Sequence, residues 1–203
     1  MKKKMKKYVY LLILTFFSSS VLAEGWYAGA GYLKSDQDVI NYPSLTYSIN
    51  DSKDDGFTLF AGYDLNDRFA IEAGYNDLGE GVVQADLGSG DVKAVHEVNV
   101  MTLAGVIKTD PISENLVLFA KAGLARIDNE ETLTGASTAT YSKTTTNVFY
   151  GIGANYEFAN GLAVRALYEA YGEDDGLTDI NDGGAVPDAV DPTALSISIV
   201  KRF

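Results

Sequence analysis

Histidine occurs once in this chain, at His96, beside Glu97 and close in sequence to Ser89 and Asp91. A histidine with a serine or a carboxylate is the raw material of nucleophilic hydrolysis, in which the imidazole takes a proton from an aligned hydroxyl and an acid orients the ring. No spacing here reproduces such a constellation, so His96 reads as a histidine in water at the end of a strand. Carboxylates are the second candidate. Asp36, Asp38, Asp51, Asp54 and Asp55 crowd one segment, and Glu173, Asp174, Asp175, Asp179, Asp182, Asp188 and Asp191 crowd another. Oxygen donors at this density hold Ca²⁺ or Mg²⁺ where their geometry converges, but no stretch has the spacing of an EF-hand, and solvated loops are the expectation. Gly29-Ala-Gly31 and Gly151-Ile-Gly153 sit in the middle of extended segments with no helix to receive a phosphate, so they are not nucleotide loops. Neither a metal nor a cofactor is expected.

The elements that position these residues begin after an export signal. Met1 to Lys7 carry five lysines, Val9 to Phe17 is apolar, and Ser18 to Ala23 ends in small residues, the pattern of a secretory signal peptide over 1–23. Its removal leaves residues 24–203 as one domain and takes the formal charge from −12 to −17, which makes nucleic acid an improbable partner. There is no cysteine to build a disulfide framework.

The remaining chain divides into eight alternating segments, near 25–34, 56–65, 68–78, 96–108, 115–127, 146–158, 161–172 and 193–203. Asn66-Asp67, Thr109 to Glu114 and Ala159-Asn160 are short turns, whereas 35–55, 79–95, 128–145 and 173–192 are long and polar. Short turns at one end and long loops at the other describe an antiparallel up-and-down barrel.

One face of these segments carries Trp26, Ala28, Ala30 and Tyr32, then Phe57, Leu59, Ala61 and Tyr63, and in later strands Phe69, Ile71, Tyr75, Leu118, Leu124, Tyr150, Ile152, Tyr156, Phe158, Val164 and Tyr168. The other is small or polar, with Gly29, Gly31, Gly62, Asp64, Glu72, Gly74, Lys121, Gly123, Gly151, Gly153, Asn155, Glu157, Arg165 and Glu169. In the fourth segment the phase is less marked, and Val98, Val100, Thr102, Ala104 and Val106 are assigned to the apolar face. Glycine on the polar face favours a narrow lumen there, because a solvated exterior has no use for its smallness. Aromatics at the strand ends complete the picture. Trp26, Tyr63, Phe69, Tyr156, Phe158 and Phe203 lie near the short turns and Tyr32, Phe57, Tyr75, Tyr150 and Tyr168 near the loops, two girdles around an aliphatic band such as a bilayer selects. The expected fold is therefore an all-β, eight-stranded transmembrane barrel.

In order and spacing, Gly25-Trp-Tyr-Ala-Gly-Ala-Gly-Tyr32, Phe60-Ala-Gly-Tyr-Asp-Leu-Asn66, Ala70-Ile-Glu-Ala-Gly-Tyr75, Asp110-Pro-Ile-Ser-Glu-Asn115, Gly151-Ile-Gly-Ala-Asn-Tyr156 and the closing Phe203 resemble the transmembrane domain of the OmpA-like outer-membrane proteins. The resemblance implies an outer-membrane location, with lipid and lipopolysaccharide around the barrel and the barrel assembly machinery reading its C-terminal strand. It also implies a lumen charge pair of Glu72 with Arg165, and Lys121 as a competing cation. Where the family places a second couple, this chain offers Gly105 and Asn155, so an exchange between pairs is not expected. Lys201 stands where an aromatic is usual. The peptidoglycan-binding domain of larger members is not expected here.

The functional expectation is a monomeric, non-enzymatic barrel with a structural or surface-interaction role, meeting a surface or host ligand through four long extracellular loops. A narrow or gated channel for small solutes is the alternative, and a lipid A-modifying or proteolytic enzyme using His96 is the third.

Overall fold

The computed structural model describes residues 25–37, 47–51, 53–86, 91–134, 138–172 and 192–203. They form β1 (Trp26–Gln37), β2 (Tyr47–Asp51), β3 (Lys53–Asp64), β4 (Phe69–Asp86), β5 (Asp91–Lys108), β6 (Leu116–Thr134), β7 (Thr138–Glu157), β8 (Leu162–Ala170) and β9 (Pro192–Arg202). The strands join in the order β2-β4-β3-β1-β9-β8-β7-β6-β5, and β4 pairs with β5 to close the ring. Eight strands are staves of an antiparallel up-and-down barrel, and β2 is an extra strand laid against the far end of β4. The expected seam is present: β9 pairs with β1 from Tyr27↔Arg202 to Gln37↔Pro192, and the Phe203 N–H donates to the Trp26 carbonyl at 2.9 Å.

The turns follow from their residues. The Asn66 side-chain oxygen accepts from the N–H groups of Arg68 and Phe69, each at 2.9 Å, which reverses the chain between β3 and β4. Between β7 and β8, Asn160 and Gly161 take φ of 67° and 68°, the left-handed region that asparagine and glycine tolerate best.

Two of the four expected loops are mostly strand instead, and in a third, 35–55, the described residues are strand as well. β4 runs to Asp86 and β5 starts at Asp91, while β6 runs to Thr134 and β7 starts at Thr138, so most of 79–95 and 128–145 forms the arms of two hairpins. Threonine suits this pleated surface. Thr144 Oγ1 donates to Asp128 Oδ1 at 2.6 Å, and the hydroxyls of Thr132 and Thr140 meet across the hairpin at 3.3 Å. The 19 residues of β6 rise about 60 Å along the strand, roughly 45 Å in height at a 45° tilt, and so stand about 20 Å beyond a 25 Å apolar band. In the other two expected loops, 38–46 and 173–191 lie outside the described residues.

Seven staves have the expected phase, and β5 has the opposite one. Val98, Val100, Thr102, Ala104 and Val106 are buried in the lumen, whereas Met101, Leu103 and Ile107 face outward. Gly105 also faces out, where an added Cβ would meet nothing within 4 Å, so it is not a lumen residue. The physical reason is an apolar upper lumen. Leu33, Leu78, Val98, Val100, Ile127, Phe149 and Tyr171 pack together inside the barrel, so both faces of β5 are apolar and periodicity cannot choose between them.

Candidate functional site

The lumen is built in layers, and alternate staves supply alternate layers, as the tilt of strands in a closed barrel requires. One ionic layer takes Tyr27 from β1, Glu72 from β4, Lys121 from β6, and Arg165 and Glu169 from β8. Arg165 Nη1 donates to Glu72 Oε2 at 2.6 Å, and its Nε donates to Asn155 Oδ1 at 2.9 Å. Lys121 Nζ lies between two carboxylates, 3.1 Å from Glu72 Oε1 and 2.8 Å from Glu169 Oε1. The Tyr27 hydroxyl donates to Glu72 Oε2 at 3.0 Å. Two acids thus meet two bases, all four buried. A second couple, Lys121 with Glu169, lies elsewhere than at the Gly105 and Asn155 positions. Glu169 stood on the inward face but was not singled out, because its distance from Lys121 is measured through the barrel and not along any strand.

Aromatic rings close the space around this network. The Arg165 guanidinium lies 4.4 Å from the Phe60 ring centroid and 4.6 Å from that of Phe119, and Lys121 Nζ lies 5.5 Å from that of Phe149. The rings fit because glycines oppose them. Tyr27 pairs with Gly62, Phe60 with Gly29, Phe119 with Gly153 and Phe149 with Gly123. A Cβ on Gly29, Gly62 or Gly153 would collide with the ring opposite it. Lumen glycines therefore make room for aromatics, a more specific use than smallness alone.

Glu157, expected in the lumen with Asn155, belongs to a separate layer at the short-turn end. There Lys108 Nζ donates to Asp64 Oδ1 at 2.9 Å, Arg202 Nη1 bonds Asp64 Oδ2, and Arg202 Nε lies 3.4 Å from Glu157 Oε1. Sequence reasoning did not single out Lys108 or Arg202.

The aromatics expected as girdles fall on the outward face in two rows. Trp26, Tyr63, Phe69, Tyr156 and Phe158 are exposed near the short turns and Tyr32, Tyr150 and Tyr168 at the other end, while Phe57, Tyr75 and Phe203 are half-exposed. Trp26 and Tyr63 touch with centroids 5.3 Å apart, Tyr156 and Phe158 at 5.1 Å, and Phe57 and Tyr75 at 5.9 Å. Lys201 reaches the Asn160 carbonyl at 2.5 Å and so lies along the turn.

His96 is half-buried on the β4–β5 hairpin. It stands opposite Gly81 on one side and Glu131 on the other, and burial pushes the Glu131 carboxyl up. Ser89 lies outside the described residues, and Asp91 pairs with Asp86, about 17 Å along the strand from His96. No group of three His, Cys, Asp or Glu able to hold a metal occurs among the described residues. What the arrangement does chemically is pair the charges of the bore with one another.

A closed antiparallel barrel with an aliphatic exterior and a filled, charge-paired interior defines a class: the β-barrel proteins of the outer membrane. This chain belongs to the family of the outer membrane protein beta-barrel domain, whose model matches residues 9–203, and it is an OmpA-like eight-stranded barrel of the outer membrane. Among solved structures it is similar to Ail, the attachment invasion locus protein of Yersinia pestis, in complex with the heparin analogue sucrose octasulfate. The TM-score is 0.59 at 16% identity, over 89% of this chain and 100% of that one. It is also similar to the outer membrane protein OprG from Pseudomonas aeruginosa, with a TM-score of 0.56 at 12% identity over 89% of this chain and 96% of that one. For Neisserial surface protein A the TM-score is 0.52 at 18% identity, over 89% of this chain and 98% of that one. At these identities the likeness is one of fold. No curated protein sequence matches the chain.

Proposed function

We propose that this chain is a plugged, monomeric, non-enzymatic anchor that presents its loop-end hairpins to a surface or host ligand. The observation that carries the reading is the contrast between the two halves of the molecule. The lumen spends its charges on itself, while β4 to β7 raise two paired hairpins beyond the apolar band. In this account Met1 to Ala23 is cleaved on export, the two aromatic rows sit at the lipid interfaces, lipopolysaccharide surrounds the outer row, and the barrel assembly machinery reads the β9 strand with Phe203.

The chemistry of the ligand follows from charge. The segments 34–55, 77–97, 126–147 and 172–192 hold twenty Asp and Glu against five Lys and Arg. Ail is known here with a polysulfated sugar, but an acidic crown repels a polyanion and favours a cationic partner. Deletion of the hairpin ends, 82–95 and 131–142, tests the proposal through whole-cell adhesion, serum survival and phage sensitivity. Loss of at least one of these with the barrel still inserted is expected, and unchanged behaviour in all three would contradict a surface role.

One observation favours the channel as a second reading. Lys121 already bridges Glu72 and Glu169, so an alternative pairing within the network needs only a side-chain shift.

A further inference from the structure

We propose that Asp64, Lys108, Glu157 and Arg202 form a charge clasp that holds the closing seam of the barrel at its short-turn end. Asp64, Lys108, Glu157 and Arg202 are each the last residue of a strand, and the four strands β3, β5, β7 and β9 all run towards the short turns. Around the barrel their signs alternate, acid, base, acid, base, so every member stands between two opposite charges. The quartet is neutral, and Tyr27 lies between it and the layer around Glu72.

Arg202 makes it a clasp. Within the sheet, β9 reaches β3 only through β1, whose Tyr27 pairs with Arg202 on one side and with Gly62 on the other. With no Cβ on Gly62, the Tyr27 ring lies over that position, and the Arg202 guanidinium rests 5.5 Å from the ring centroid as it reaches Asp64 on β3. The same guanidinium faces Glu157 on β7 at 3.4 Å, beyond β8 on the other side. Asp64 is held in turn by Lys108 from β5 at 2.9 Å. One cation thus ties the closing strand to the strands lying second from it in both directions, over and above the backbone ladder. Strand ends open first, and this is where the ladder of the seam ends.

The test is amide exchange in the mature barrel refolded into phosphatidylcholine vesicles. Arg202→Gln should speed exchange at the seam, residues 27–31 of β1 and 198–202 of β9, by about tenfold, the scale of a hydrogen bond to a charged group. Exchange at 100–106 of β5 should not change. Asp64→Asn should reproduce the effect, and the double variant should be no faster than Arg202→Gln alone. Glu157→Gln should act in the same place but less, since the Glu157 side chain is 39% exposed against 17% for Asp64, and it carries the comparison if the stronger variants do not fold. Arg68→Gln, which breaks an exposed pair with Asp110, is the control and should leave the seam unchanged. Acceleration spread evenly over the barrel, additive effects of Asp64→Asn and Arg202→Gln, or an unchanged seam in Glu157→Gln when that is the variant compared, would overturn the clasp.

Discussion

Arg165 is buried, with three aromatic rings and two polar partners around it. Removing it leaves Glu72 with Lys121 and the Tyr27 hydroxyl as partners, and Lys121 is shared with Glu169. Arg165→Met should therefore cost about 3–5 kcal/mol, the range for breaking a buried pair by deleting one partner, read as a lowered urea midpoint in vesicles. Exchanging Glu72 and Arg165 together for apolar residues should recover much of that loss, because no stranded charge remains. At this scale the sequence was partly readable. Glu72, Lys121 and Arg165 stood out as charges on a face of glycines, and the resemblance singled out the pair of Glu72 with Arg165. Glu169, Lys108 and Arg202 were missed as partners because contacts through a lumen depend on tilt and stagger, which no single strand encodes. The glycines carried a signal that could have been used: on neighbouring strands they fall opposite Tyr27, Phe60, Phe119 and Phe149.

Among the elements, alternation located all eight staves, and it failed where its premise failed. β5 is apolar inside and out, so its phase was inverted; an apolar plug above the ionic layer removes the polarity difference on which period two relies. Polar composition also hid the hairpins, since 128–145 reads as loop until threonine's fit to a pleated surface is weighed. Glu131 gives this element a pH dependence. Its carboxyl pKa is raised by burial, so the folded hairpin binds a proton more readily than the unfolded chain. That contribution is fully present below the unfolded carboxylate range and is lost as pH rises through the folded value. Protection factors of amides 128–134 and 138–145 should fall as pH rises above the ordinary carboxylate range, and Glu131→Gln should flatten the fall. An equal fall in Glu131→Gln would place the titration elsewhere.

At the scale of the whole molecule, the layers act in series. The quartet at the short turns, the ring of Tyr27, Phe60 and Phe119, the network around Glu72 and the apolar cluster of Leu33, Leu78, Val100 and Ile127 follow one another along the bore. Each ionic layer is neutral and each apolar layer resists water, so in the proposed account an ion gains nothing by entering. An eight-stranded bore is narrow enough for side chains to fill it. Stepwise conductance in a planar bilayer is the most direct measure of this account. The purified wild-type barrel should show no steady current at either polarity, and Glu72→Gln should remain silent because the other layers stay closed. A steady conductance in the wild type that rises in Glu72→Gln or Arg165→Met would contradict the plugged anchor and establish a gated channel in its place.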